Sequence, residues 1–135
     1  MAAAADTASA FRSAVERKDM EAAAALLSPD IVFHSPITFH PFVGREDVCA
    51  LLAIVARTFE NFRYTDELET DGAHALIFRA EVEGRELEGI DLLRVDDDGQ
   101  IEDFTVMIRP MSGLVPFAQR MAEQVQEAGL QTVRS

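Results

Sequence analysis

The chain has 135 residues, 48% of them apolar, and a formal net charge of -12 from 24 acidic and 12 basic side chains. That length suits one domain with one core, and the apolar fraction argues against a disordered chain. The basic residues are scattered rather than clustered, so nucleic acid and anionic membrane are not expected partners.

Residues 1–5 read as a frayed tail. Asp6 or Thr7 caps a first helix with Ala8, Phe11, Ala14 and Val15 on its apolar face. Asp19 caps a second helix, rich in Ala and Leu, which Ser28-Pro29-Asp30 stops. Ile31-Val32-Phe33-His34-Ser35 is a β-branched and aromatic run, hence a strand, and the two-proline segment 36–43 is a loop. Gly44 opens a third helix with Glu46 and Asp47 in its first turn, where the helix dipole favours acids. Val48, Leu51, Leu52, Val55 and Phe59 form its apolar stripe.

The period then changes to two. Phe62, Tyr64, Asp66 and Leu68 share one face of a strand, and Asp71-Gly72 turns into a second strand with Leu76, Phe78, Ala80 and Val82 on one face. Glu83-Gly84 leads to a strand over 87–95. The turn at 96–99 leads to the last strand, over 101–109, which Pro110 ends. Ser112 caps a final helix bearing Leu114, Phe117, Ala118 and Met121, and the segment after Val125 is a polar tail. Helices followed by a meander of strands predict a single α+β domain over 6–125, with helices on one face of a bent, mostly antiparallel sheet and flexible tails at 1–5 and 126–135.

No signal-peptide pattern and no membrane-length apolar run occurs. Cys49 is the one cysteine, which rules out an internal disulfide and a cysteine-based metal site and fits a reducing, cytoplasmic setting. It lies beside the stripe of the third helix, a packing position. No HExxH or phosphate-binding glycine motif occurs, and the turn Asp96-Asp97-Asp98-Gly99 lacks the later glutamate of a calcium loop. No metal or cofactor is implied.

Several stretches together resemble the nuclear transport factor 2-like superfamily, which includes ketosteroid isomerases, SnoaL-like polyketide cyclases and limonene epoxide hydrolases. They are the helical start at 11–19, Ile31–Ser35 before Pro36, Phe42-Val43-Gly44-Arg45, and Gly89-Ile90-Asp91-Leu92-Leu93-Arg94-Val95 followed by Asp98-Gly99-Gln100-Ile101. The resemblance covers residues 8 to 122. It implies a cone-shaped, strongly curved sheet with helices on its concave face around an apolar pocket, and homodimers formed through the outer sheet face. It places the isomerase oxyanion-hole aspartic acid on Asp91. The oxyanion-hole tyrosine falls on Phe11 and the general base on Ser35, so neither the phenol nor the base is present there. The epoxide hydrolase carboxylate falls on Val106.

Strand alternation defines the pocket face. With Asp91 inward, Leu87, Gly89 and Leu93 follow, and Phe104, Val106 and Ile108 line the last strand. Phe33 and Ser35 come from the first strand, Phe78 from the meander, and Phe11 and Leu52 from helices. This is a greasy, ligand-sized lining with few polar groups. Burial raises a carboxyl pKa, so Asp91 can stay neutral and donate a hydrogen bond to a carbonyl. The structural alternative is that it pairs with a buried Arg, Tyr or backbone N–H and only fixes its strand. Of the three histidines, His34 points away from the pocket and His74 is exposed after its turn. His40, in the loop over the mouth, is the preferred base. Tyr64 is the remaining phenol.

The expected function is a SnoaL-like isomerase or cyclase acting on a small hydrophobic carbonyl compound, with Asp91, His40 and Tyr64 as its chemical groups. A non-catalytic binder of an apolar molecule, or a structural homodimer with a self-filled pocket, are the alternatives.

Overall fold

The computed structural model describes residues 2–132. In chain order the elements are α1 (Ala2–Glu16), α2 (Met20–Ala25), β1 (Leu27–His34), β2 (Phe42–Val43), α3 (Arg45–Thr58), β3 (Glu60–Thr70), β4 (Ala73–Val82), β5 (Arg85–Val95), β6 (Ile101–Arg109) and α4 (Met111–Ala128). The strands form one unclosed, curved sheet in the order β2-β1-β6-β5-β4-β3. All pairs are antiparallel except β1 with β6. A parallel pair needs a long crossover, and here it spans the whole meander. Among the described residues no helix is long and apolar enough to cross a membrane.

Four boundaries differ from the sequence reading. α1 starts at Ala2, within the expected tail. α4 runs to Ala128, and Leu130 beyond it packs on the core. Residues 1 and 133–135 of the expected tails lie outside the described residues. β1 begins at Leu27, so Ser28-Pro29-Asp30 belongs to a strand and not to a helix stop. The β1–β6 register shifts between Leu27 and Val32, and that irregularity accommodates the proline. α4 starts after Pro110, with no side-chain cap, instead of after Ser112.

Asp19 caps α2 as its type predicts, accepting from the Ala22 N–H at 3.1 Å. The Gly44-Arg45 pair joins α3 to the sheet. Gly44 adopts φ 102°, a conformation that suits glycine, and its N–H donates to the Ile31 carbonyl at 2.9 Å. Arg45 then donates twice to the Leu27 carbonyl, at 2.9 and 2.7 Å. The stripe of α3 places Val48, Leu51 and Leu52 in the core. A second row, Ile54 and Thr58, is buried as well, with the Thr58 hydroxyl on the Ile54 carbonyl and beside Met121 of α4.

Seven of the nine phenylalanines form two aromatic groups. Phe104 meets Phe11 and Phe33 with ring centres 5.4 and 5.1 Å apart. Phe59, Phe62, Phe78 and Phe117 form the other, with Phe59 stacked on Phe117 at 4.8 Å. Aromatic pairs of this kind add about 0.5–1.5 kcal/mol each beyond their burial. Both groups face the concave side of the sheet.

Candidate functional site

Between the helices and the concave sheet face lies a cavity of about 550 Å³. The phenylalanines frame this space without filling it, since all seven clustered rings line it. Val15, Leu51, Leu52, Val55, Val106 and Met121 complete most of the apolar wall. Such a volume accommodates a small organic molecule.

Asp91 sits in that wall. Alternation along β5 buries Leu87, Gly89, Asp91 and Leu93 on one face, so a carboxyl enters a face otherwise free of charge. Burial pushes its pKa up from 3.8 to about 7, while the hydrogen bond from Tyr64 pulls the other way. The Tyr64 hydroxyl donates to Asp91 Oδ2 at 2.9 Å. It engages that oxygen alone, which leaves Oδ1 to the cavity. Burial, then the neighbouring Asp91, raises the phenol of Tyr64 well above its ordinary range, so it remains a donor. Asp91 is therefore both paired, as the structural alternative held, and cavity-facing.

Tyr64 lies opposite Phe78 on the inner face, and a bulge follows it. The β3–β4 register shifts between Tyr64 and Asp66, so the inward face passes from Tyr64 to Glu67 and Glu69. Leu68, predicted to share the face of Tyr64, is 60% exposed as a result. Arg12 of α1 takes Glu67 at 3.1 Å and Glu16 at 3.2 Å, and its guanidinium lies 5.8 Å from the centre of the Tyr64 ring. A cation there adds to the hold on the ring. His74, which the sequence reading left exposed, is buried because it shares the β4 face of Leu76 and Phe78. It lies opposite Glu69, with Nε2 3.4 Å from that carboxylate and Nδ1 without a hydrogen-bond partner.

The family model of the SnoaL-like domain matches residues 8–104. The chain belongs to the SnoaL-like family. Among solved structures, the chain is similar to a steroid delta-isomerase from Pseudomonas aeruginosa, with 39% identity, 95% of each chain covered and a TM-score of 0.89. It also resembles a bacterial protein with a cystatin-like fold from Silicibacter pomeroyi DSS-3 (28% identity, 91% of this chain and 87% of that one, TM-score 0.86). An NTF2-like protein from Cytophaga hutchinsonii, at 19% identity, 80% and 91% coverage and a TM-score of 0.64, shares the fold. Comparison with curated proteins gives no match.

In this SnoaL-like domain the cavity brings together Asp91, Tyr64, Phe11, Phe33, Ser35, Leu52, Phe78, Phe104 and Val106. Three predicted residues lie elsewhere. His40 is exposed in the loop after β1 and does not line the cavity, so it is removed as the partner of Asp91. The start of that loop, Ser35, Pro36 and Ile37, lines the cavity, and the Ser35 hydroxyl accepts from the Ile37 and Thr38 N–H groups at 3.2 and 3.1 Å. Leu93 is fully buried core, covered by its neighbours instead of facing the space. Ile108 packs on the core and lines a separate shallow depression with His34 and Phe39. His34 points away as expected and pairs with Asp103 at 3.2 Å. Cys49 is half-buried, and burial raises its thiol pKa. Among the described residues no cluster of three or more His, Cys, Asp or Glu could hold a metal ion.

Sequence reasoning missed the rim. Glu16, Lys18, Arg57 and Asn61 line the cavity and are exposed. Each lies at an element's end, where neither periodicity nor motif marks a residue. Phe59 and Phe62 were visible as stripe residues but not as lining.

Proposed function

We propose that this SnoaL-like domain binds a small apolar carbonyl compound in the cavity and acts on it as an isomerase or cyclase, with Asp91 as the proton-carrying group. One observation carries this reading: a buried carboxyl with a pKa near 7, fixed through one oxygen by Tyr64, faces an apolar cavity with its other oxygen. Near neutral pH both protonation states are populated. The acid form donates a hydrogen bond from Oδ1 to a carbonyl oxygen. The carboxylate form takes a proton from a carbon beside that carbonyl, and the acid so formed returns it to another carbon of the enolate, which leaves Asp91 as it began. A positioned group with a pKa near the working pH contributes about 10²–10⁴-fold to such a step. Tyr64 is the positioning residue.

The identity to a protein described as a steroid delta-isomerase supports the isomerase form. Phe11 and Ser35 weigh against an unaltered transfer, because neither offers a phenol or a base. That departure favours a second reading, a binder without turnover. Among the described lining residues the other carboxylate is Glu16, which Arg12 already holds at 3.2 Å. The open volume speaks against a self-filled scaffold. The single cysteine agrees with a cytoplasmic location. We further propose self-association through the outer sheet face.

A thermal-shift screen against sterols, terpenoids and aromatic ketones tests the reading. Ligand at about a hundredfold excess over its Kd stabilises by roughly 3 kcal/mol. Ketones are expected to raise Tm in the native protein and to lose most of that effect in Asp91→Asn. Equal shifts in both proteins would remove Asp91 from the site, and no shift with any class would sink the carbonyl reading. Turnover of a hit separates enzyme from binder.

A further inference from the structure

Six of the residues lining the cavity are exposed: Glu16, Lys18, Ile37, Ala56, Arg57 and Asn61. Five of them come from the C-terminal ends of α1 and α3 and the start of β3, so these segments frame an opening. Asp91 and Tyr64 are buried, and a ligand whose oxygen reaches Asp91 therefore has its other end directed toward exposed residues.

The charges at that opening run against the trend of the molecule. The chain carries -12 overall, yet two cations and one anion line the cavity at its rim. The anion, Glu16, is already engaged by Arg12 at 3.2 Å. Neither cation is engaged in this way. Arg57 donates to the neutral Gln124 at 3.3 Å, and among the described residues neither Arg57 nor Lys18 has a carboxylate within 4.0 Å. Arg12, Arg17, Arg79, Arg109 and Arg120 do, while Arg45, Arg63, Arg85 and Arg94, away from the cavity, do not.

Backbone geometry supplies a second observation. α1 ends with the Asp19 N–H on the Ala14 carbonyl and the Lys18 N–H on the Val15 carbonyl. That pattern puts Lys18, at φ 61°, in the left-handed position after the helix that glycine fills best. The neighbouring rim residue Asn61 also has a positive φ, 52°. Non-glycine residues in this region are uncommon, and the third among the described residues, Glu83 at φ 52°, lies in the β4–β5 turn away from the cavity. The fold at Lys18 is better served by glycine. A lysine there places an ammonium on the rim.

We propose that the ligand is an amphipathic keto acid. Its apolar body lies among the phenylalanines, its carbonyl meets Asp91, and its carboxylate or comparable anionic end meets Lys18 and Arg57. This rests on the carbonyl reading above and adds the ligand's anionic end. The rest of the acidic surface repels such an anion, so the rim is the face at which it is admitted.

The test is calorimetric titration of the purified protein with 4-(4-acetylphenyl)butanoate and with its uncharged amide. Two exposed charge contacts support a roughly threefold to tenfold preference for the acid at low salt, shrinking as salt rises. Lys18→Gly with Arg57→Gln is expected to bring acid and amide within about twofold of each other by lowering the affinity for the acid. Lys18→Arg with Arg57→Lys is expected to keep the preference. Because glycine suits position 18, loss of folding does not confound the first variant, and its melting temperature checks this directly. If acid and amide bind equally well to the native protein, and both weaken in Asp91→Asn, the anionic end is refuted while the carbonyl reading stands. A preference for the acid that survives the double substitution refutes the assignment to Lys18 and Arg57. If neither compound binds, the carbonyl reading fails and this inference fails with it.

Discussion

Asp91 and Tyr64 show how one residue's environment sets its chemistry. The aspartate is charged at neutral pH in water, but in this wall ionisation competes with burial, and the two balance near pH 7. A group whose folded pKa lies above its unfolded value holds more protons when folded. Stability then falls as pH rises between the two values. For Asp91 this contribution is fully present below about pH 4, declines from there to about pH 7, and is gone above it. Its size is on the order of a few kcal/mol. Urea denaturation of Asp91→Asn across pH 4 to 8 is expected to show a flatter profile than the native protein, with the variant at no disadvantage at pH 8. A profile unchanged by the substitution would mean that Asp91 titrates normally.

At the scale of elements, two local irregularities shape the cavity. One is the β3 bulge, which follows the inward Tyr64 and hands the inner face to Glu67 and Glu69. The other is Gly89, which lies opposite Phe78 in the β4–β5 register. A Cβ at Gly89 would collide with the tip of the Phe78 ring and lie 2.7 Å from the Met107 carbonyl. The missing side chain therefore lets Phe78 lie across the sheet as cavity wall. Because a backbone carbonyl is one of the obstacles, rotation of the ring alone does not relieve the clash. Gly89→Ala is expected to lower stability by about 1–3 kcal/mol, the range for overpacking, read as a lower urea midpoint. An unchanged midpoint would show that the sheet opens to admit the methyl group.

For the molecule as a whole, the concave sheet face meets helices and cavity, while among the described residues no helix covers the convex face. There Ile77, Ile90 and Met107 form a continuous row across β4, β5 and β6, with Leu92 and Thr105 beside it. The first two are half-buried, and Met107 is 53% exposed. Glu88 flanks the row, held by Arg79 at 3.3 Å and Arg109 at 3.2 Å. An apolar centre with a charged margin has the make-up of a protein interface. Sedimentation at micromolar concentration is expected to give a dimer, and Met107→Glu a monomer of unchanged fold. A native monomer would remove the proposal.

Local rules carried much of this structure from the sequence. Periods of 3.6 and 2 placed α3 and the meander strands. Asp19 and Gly44 marked helix starts, and the strand pattern around Asp91 put a carboxyl on the inner face. The expected α+β cone with its apolar cavity follows from these and from the family resemblance. Other features depended on contacts between distant segments. A bulge at β3 adds one residue to a ladder, and alternation cannot register it, so Leu68 was assigned the wrong face; His74 was read by its nearness to a turn, although it shares the β4 face of Leu76 and Phe78. The pairing of Tyr64 with Asp91 joins strands two places apart in the sheet. His40 stands outside the site although Ser35, Pro36 and Ile37 of the same loop line it, a difference within one loop that residue type does not announce. The Lys18 and Arg57 rim exists only where the ends of α1 and α3 meet an opening. Hydrophobic patterning decides which face of each element is buried. Only packing decides which buried face keeps an empty space, and which charges stand at its edge.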